Sequence, residues 1–166
     1  MNHRDILNAE LINVIKNLKF DKVLEIGSGD YSFRDDFNCL EYITSDKKSG
    51  GEKKFNVNNI PYGDESFDCV FMSHCFEHFL NPLKALKEIY RILKKEGMII
   101  NITPHHCEHQ VLYGDSDHIF VLTEIQSRKL LDFVGFKDIN VYTQKKINDK
   151  IITKEQDYNL FSIAKK

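Results

Sequence analysis

No apolar run in this sequence approaches the roughly 20 residues that a membrane-spanning helix needs, so no helical membrane anchor is expected. The amino-terminal Met1-Asn2-His3-Arg4-Asp5 carries no apolar signal core. Four cysteines, Cys39, Cys69, Cys75 and Cys107, show neither a Cys-x-x-Cys spacing nor the density of a disulfide framework, which fits reduced thiols and a cytoplasmic location. Neither sign of charge is in excess: 23 basic against 25 acidic residues give a net charge of −2, so nothing points to a nucleic-acid partner. No internal repeat is present. The 166 residues suit one domain, 1–166, with no room for a separate substrate domain, and they leave the oligomeric state open.

What the sequence does have is concentrated in Val23-Leu24-Glu25-Ile26-Gly27-Ser28-Gly29-Asp30-Tyr31. Val23, Leu24 and Ile26 read as a strand that is apolar on both faces, the pattern of a central strand in a parallel sheet. Gly27 and Gly29 then open a turn whose backbone can approach a ligand. Such a cradle lies at the carboxyl end of a strand, where open α/β sheets bind nucleotides. The third glycine of a dinucleotide fingerprint would fall at Ser32, so that motif is incomplete. Glu25 would repel a pyrophosphate and attract an ammonium or sulfonium. The cradle is therefore expected to seat a nucleoside ligand that carries positive charge.

Asp5 to Leu18 has helical apolar spacing, and only a short helix fits between Ser32 and Asn38. A second strand, Leu40 to Thr44, leads to Asp46, 17 positions beyond Gly29. That is close to the spacing of about 20 at which an acid accepts hydrogen bonds from ribose hydroxyls. Phe55-Asn56-Val57 reads as a very short strand, and Phe67 to Met72 as a buried one. Asn81-Pro82 starts a helix that is expected to end at Gly97. Met98 to Thr103 is the next buried strand. Thr123-Glu124-Ile125-Gln126 has the form of a capping box, opening a helix that stops at Gly135. Phe136 to Thr143 and Tyr158 to Ala164 alternate as an antiparallel pair, joined by a charged loop around 145–156.

The cradle sequence resembles that of the class I S-adenosylmethionine-dependent methyltransferases, particularly the small type 11 kind. The likeness continues, in order and spacing, through Asn56 to Tyr62, Glu65-Ser66-Phe67-Asp68-Cys69-Val70, Glu77-His78 and Arg91-Ile92-Leu93-Lys94-Lys95-Glu96-Gly97. It implies an α/β, Rossmann-like methyltransferase fold: a mostly parallel seven-stranded sheet, helices on both faces and a terminal antiparallel hairpin. It also implies S-adenosylmethionine as cofactor, bound through Glu25, Gly27, Gly29, Asp46, Asn56 and Val57, with backbone at Ser73 and His74 meeting the methionine part. Asn56 stands where the family usually has an acid, but its amide can still bond the adenine edge.

Six of the seven histidines, His74, His78, His105, His106, His109 and His118, follow the strands that end at Met72 and Thr103. Loops at those ends ring the ligand crevice, so the imidazoles should converge on the transferred methyl. Histidine titrates near pH 6.5 and suits removal of a proton from a hydroxyl or amine. His106 or His105 is the expected base or orienting group, with His78 and His118 as further pocket residues. A metal reading competes, because His105, His106, Cys107, Glu108, His109 and His118 have suitable donors. Their spacing matches no standard zinc pattern, so no metal is expected. The expected activity is methyl transfer to a small-molecule or carrier-linked acceptor. The rival readings are an NAD-dependent Rossmann oxidoreductase and a non-catalytic S-adenosylmethionine-binding module.

Overall fold

A computed structural model describes residues 15–48, 50–104, 117–145 and 158–166. The strands are β1 (Phe20–Ile26), β2 (Cys39–Ser45), β3 (Phe67–Ser73), β4 (Leu93–Pro104), β5 (Lys137–Lys145) and β6 (Tyr158–Lys165). They form one sheet in the order β2-β1-β3-β4-β6-β5. β1 pairs in parallel with β2 and β3, and β3 with β4, while β6 runs antiparallel to both β4 and β5. The class is the one the sequence implies: a Rossmann-like methyltransferase fold closed by an antiparallel pair.

Solvent exclusion sets this order. Val23, Leu24, Cys69, Val70, Phe71 and Met72 are fully buried, and burying each large apolar side chain contributes about 1.5–3 kcal/mol. Strands apolar on both faces must lie mid-sheet with cover on each side. One face packs Leu24, Ile26, Val70 and Met72 against helix α1 (Pro82–Ile92). The other packs Val23 and Phe71 against Phe33, Phe37 and Ile15. Residues 15–17 are helical, as expected of the Asp5–Leu18 helix, whose remainder lies mostly outside the described residues.

Both helix starts follow from capping chemistry. Asn81 Oδ1 accepts from Lys84 N at 3.0 Å, ahead of Pro82 at the first helical position. Helix α2 (Glu124–Val134) carries the expected Thr123–Gln126 capping box and ends at Gly135. The expectation for the end of α1 is corrected. Its last residue is Ile92, because fully buried Leu93 turns extended (φ −70°, ψ 137°) and pairs with Phe67. Gly97 lies inside the irregular start of β4, beside the left-handed Glu96.

Among the described residues the sheet has six strands rather than the expected seven. Residues 55–57 form no strand, since Asn59 N bonds back to Asn56 O at 2.8 Å and Asn58 N to Asn56 Oδ1 at 3.0 Å. These bonds turn the chain at Asn56 and engage its carbonyl, and an isolated bridge, Ser45 to Lys53, extends the sheet there. At the sheet's amino end Asp68 accepts from Asp21 N and Lys22 N and ion-pairs with Lys94 Nζ at 2.9 Å. β1, β3 and β4 are thereby fastened far from the end where the glycine turn lies.

Candidate cofactor and acceptor site

The strand order reverses at β1, which has β2 on one side and β3 on the other. Loops leaving neighbouring carboxyl ends then diverge and open a crevice. Gly27 N and Ser28 N both donate to Ser45 O, at 2.7 and 3.1 Å, and Gly29 N donates to Asp46 Oδ2 at 3.1 Å. The end of β2 therefore clamps the cradle. On the β3 side Cys75 Sγ donates to Ile26 O at 3.1 Å. Burial pushes the Cys75 thiol well above its ordinary range, which keeps it protonated and un-nucleophilic.

Backbone conformation explains both glycines. Gly27 has φ +77°, and a Cβ there would lie 2.4 Å from Cys75 Cβ. Gly29 has φ +53° with open space where its Cβ would be. The first glycine is required by contact and conformation together, the second by conformation alone.

Between these loops lies a cavity of about 550 Å³, lined on one side by Gly27, Asp46, Asn56, Val57 and Asn58 and on the other by His74, His78, Phe79 and Leu80. Arg91 braces the first wall from behind, donating to Ile60 O and Tyr62 O. Of the residues expected at the cofactor, Gly27, Asp46, Asn56, Val57 and His74 line this space. Ser73 ends β3 beside it, and its Oγ is buried without a hydrogen-bond partner among the described residues. Asn58 was not singled out in the sequence. It lines the cavity, and its Oδ1 has no partner among the described residues.

Glu25 departs from expectation. It is 2% exposed and not among the cavity-lining residues. Its Oε2 accepts from Ser32 Oγ at 2.8 Å and Phe33 N at 3.3 Å. Burial raises its pKa, partly offset by hydrogen bonds from Ser32, Tyr42 and Phe33. A side chain within a strand points to a face of the sheet, whereas the crevice lies at the strand's end. Glu25 accordingly pins the chain that leaves the cradle.

His74, with φ +50°, turns the chain off β3 and bonds through its N–H to Ile102 O at 2.9 Å. A 3-10 turn over Phe76–His78 follows. Glu77, buried at 1% exposure, has its Oε1 3.7 Å from His74 Nδ1 and 3.9 Å from His118 Nε2. The rings of His78 and His118 lie 4.8 Å apart. Three of the expected histidines thus converge beside the cavity, around an acid noted in the sequence only as part of a motif. His105, His106 and His109 lie outside the described residues, as do Cys107 and Glu108.

A family profile described as a methyltransferase domain matches residues 24–101, the span from the cradle to mid-β4. Residues 24–101 are thus similar to a methyltransferase domain. Among curated relatives, an uncharacterized protein of Methanocaldococcus jannaschii, MJ0638, is 35% identical over 113 residues, covering 60% of this chain and 50% of the relative. A demethylmenaquinone methyltransferase of Lactobacillus johnsonii is 33% identical over 72 residues, covering 39% and 30%. The chain thus spans about half or less of the length of these relatives. The solved complex of the Haloferax volcanii Trm112 activator with a methyltransferase superposes on 99% of this chain and 91% of its own, with a TM-score of 0.81. At 15% identity that likeness is one of fold.

S-adenosylmethionine is the cofactor that the family resemblance implies, and the residues present fit it. The Gly27 turn admits no Cβ. Asp46 offers carboxylate oxygens beside a cavity walled by Phe55 and Val57. Ser28 Oγ and Asn58 Oδ1 are buried polar atoms lacking partners among the described residues, and a buried polar group costs about 1–3 kcal/mol when unpaired.

Proposed function

We propose that this domain catalyses methyl transfer from S-adenosylmethionine to a hydroxyl or amine of a small-molecule or carrier-linked acceptor. The carrying observation is a cavity with two unlike walls, an acid-and-amide wall from β2 onward and an imidazole-and-apolar wall after β3. Bound S-adenosylmethionine supplies a methyl group made electrophilic by its sulfonium. Asp46 is assigned to the ribose hydroxyls, Asn56, Asn58 and Val57 to the adenine, and Gly27, Gly29, Ser73 and His74 to the methionine end.

The opposite wall orients the acceptor. Holding an acceptor atom in line can remove about 7–11 kcal/mol of barrier in well-oriented systems, so positioning is the main task. His78 Nδ1 lies 2.9 Å from Asp117 O. An N–H donated there leaves the opposite ring nitrogen with its lone pair for a proton or a cation. Phe79 lines the cavity with Leu80, which is 82% exposed, and Ile119, two residues beyond the cavity-lining Asp117, is 50% exposed. This rim suits an acceptor with an apolar body, and the name of the Lactobacillus relative adds demethylmenaquinone-type acceptors to those worth testing.

The test has two steps. S-adenosylhomocysteine should raise the melting temperature while NAD leaves it unchanged; the reverse result would install the oxidoreductase reading. Transfer of labelled methyl to a panel of hydroxyl, amine and quinol acceptors should then yield product. Binding without transfer to any of them would favour the non-catalytic module.

A further inference from the structure

The carboxylate of Glu77 is buried in a nest of imidazoles that methyl transfer alone does not demand. One donor atom each from Glu77, His78 and His118 can be chosen so that all lie within 4.8 Å of one another. The two segments carrying them are laced together, His78 Nδ1 meeting Asp117 O at 2.9 Å and Ile119 N donating to Glu77 O at 3.0 Å. We propose that Glu77, His78 and His118 bind a divalent transition-metal ion of the zinc class, with an open coordination position toward the cavity.

The chemistry of the donors selects the ion. Two imidazoles and one carboxylate suit zinc and its neighbours, whereas magnesium and calcium prefer all-oxygen sets. A bond from one His78 ring nitrogen to a backbone carbonyl is the outer contact that metal-ligating histidines make, fixing the tautomer so that the other nitrogen faces the ion. A dication seated beside the buried Glu77 carboxylate is electrostatically complementary to it.

Size agrees as well. At bond lengths of about 2.1 Å a tetrahedral ion spaces its ligands about 3.4 Å apart. Donors within 4.8 Å of one another are at most about 1.4 Å beyond that spacing. Of the three ligands His78 lines the cavity, so a fourth position would open toward the acceptor side. That last step, an acceptor oxygen as fourth ligand, rests on the methyl-transfer reading; ion binding itself does not.

The test uses the full chain without a histidine tag, stripped with chelator and titrated with Co²⁺ as the probe. The expected result is one equivalent of Co²⁺ with a visible ligand-field band, displaced by Zn²⁺ and accompanied by a raised melting temperature. Glu77→Gln and His118→Gln should each abolish the one-equivalent step. A triple His105→Ala/His106→Ala/His109→Ala variant should keep it. If burial makes Glu77→Gln misfold, His78→Ala, at an exposed position, replaces it with the same expected loss. Absence of uptake by the unmutated chain, uptake that survives His118→Gln, or loss in the triple variant would each overturn the proposal. S-adenosylhomocysteine binding measured on the same samples separates the two readings: nucleoside binding without metal uptake sinks only this inference, and metal uptake without nucleoside binding sinks only the methyl-transfer reading.

Discussion

Gly27→Ala tests whether the cradle is built by contact as well as by backbone conformation. The left-handed region costs a non-glycine residue roughly 1–2 kcal/mol. The new Cβ would in addition sit 2.4 Å from Cys75 Cβ and 2.7 Å from its Sγ, and forcing an extra methyl into packed surroundings costs about 1–3 kcal/mol. The sum, about 2–5 kcal/mol, converts at roughly 2–4 °C per kcal/mol for a chain of this size into a fall of about 4–20 °C in melting temperature. Gly29→Ala is the matched control, since its Cβ would meet nothing within 4 Å. It carries the conformational cost alone, about 1–2 kcal/mol. Any gain from a stiffer unfolded chain is common to both variants and cancels in their difference. Combining Gly27→Ala with Cys75→Gly, which removes both clashing atoms, should recover about 1–3 kcal/mol as coupling energy in a double-mutant cycle read by urea unfolding. Equal melting temperatures for the two alanine variants, or a coupling energy of zero, would refute the contact between the two loops.

Glu25→Gln keeps an oxygen for Ser32 Oγ and Phe33 N but removes a charge that burial disfavours. The folded pKa of Glu25 is raised from 4.5, so its carboxyl stabilises the fold most fully below 4.5 and that contribution fades as pH rises through the folded value. Melts from pH 4 to pH 7 should therefore show the glutamine variant gaining on the unmutated chain; a gap that moves the other way would mean that the charged form is wanted. Asp46→Ala should weaken S-adenosylhomocysteine roughly 10- to 100-fold, the range for hydrogen bonds to a charged group. Asn58→Ala should weaken it by roughly 2- to 10-fold, as for a neutral bond. Isothermal titration of both would expose the assignment as wrong if either variant bound like the unmutated chain.

The parts of the fold legible in the sequence were those where one local signal suffices. Apolar continuity marked β1 and β3, Asn81-Pro82 and Thr123–Gln126 marked the helix starts, and alternation marked the terminal pair. Where two local signals compete, the sequence alone does not rank them. Gly97 looks like a helix stop, yet pairing of buried Leu93 with Phe67 ends α1 five residues earlier. Phe55 to Val57 has strand-like residues, yet the Asn56 side chain and carbonyl cap a turn.

The two buried acids carry the same lesson into the site. One lies inside an apolar strand and the other just beyond one, and neither sequence context tells which way the carboxylate points. Glu25 lies within β1, so it faces the sheet's surface and meets O–H and N–H donors that hold their protons at any ordinary pH. Glu77 lies beyond β3, past a left-handed His74 that turns the chain, and it meets imidazoles, which exchange protons near neutrality and bind metals. Fixed donors make a carboxylate into a strut. Exchangeable ones leave its charge to be balanced by whatever proton or cation arrives, so of the two acids it is Glu77 whose substitution should change the dependence of activity on pH or metal rather than the stability of the cradle.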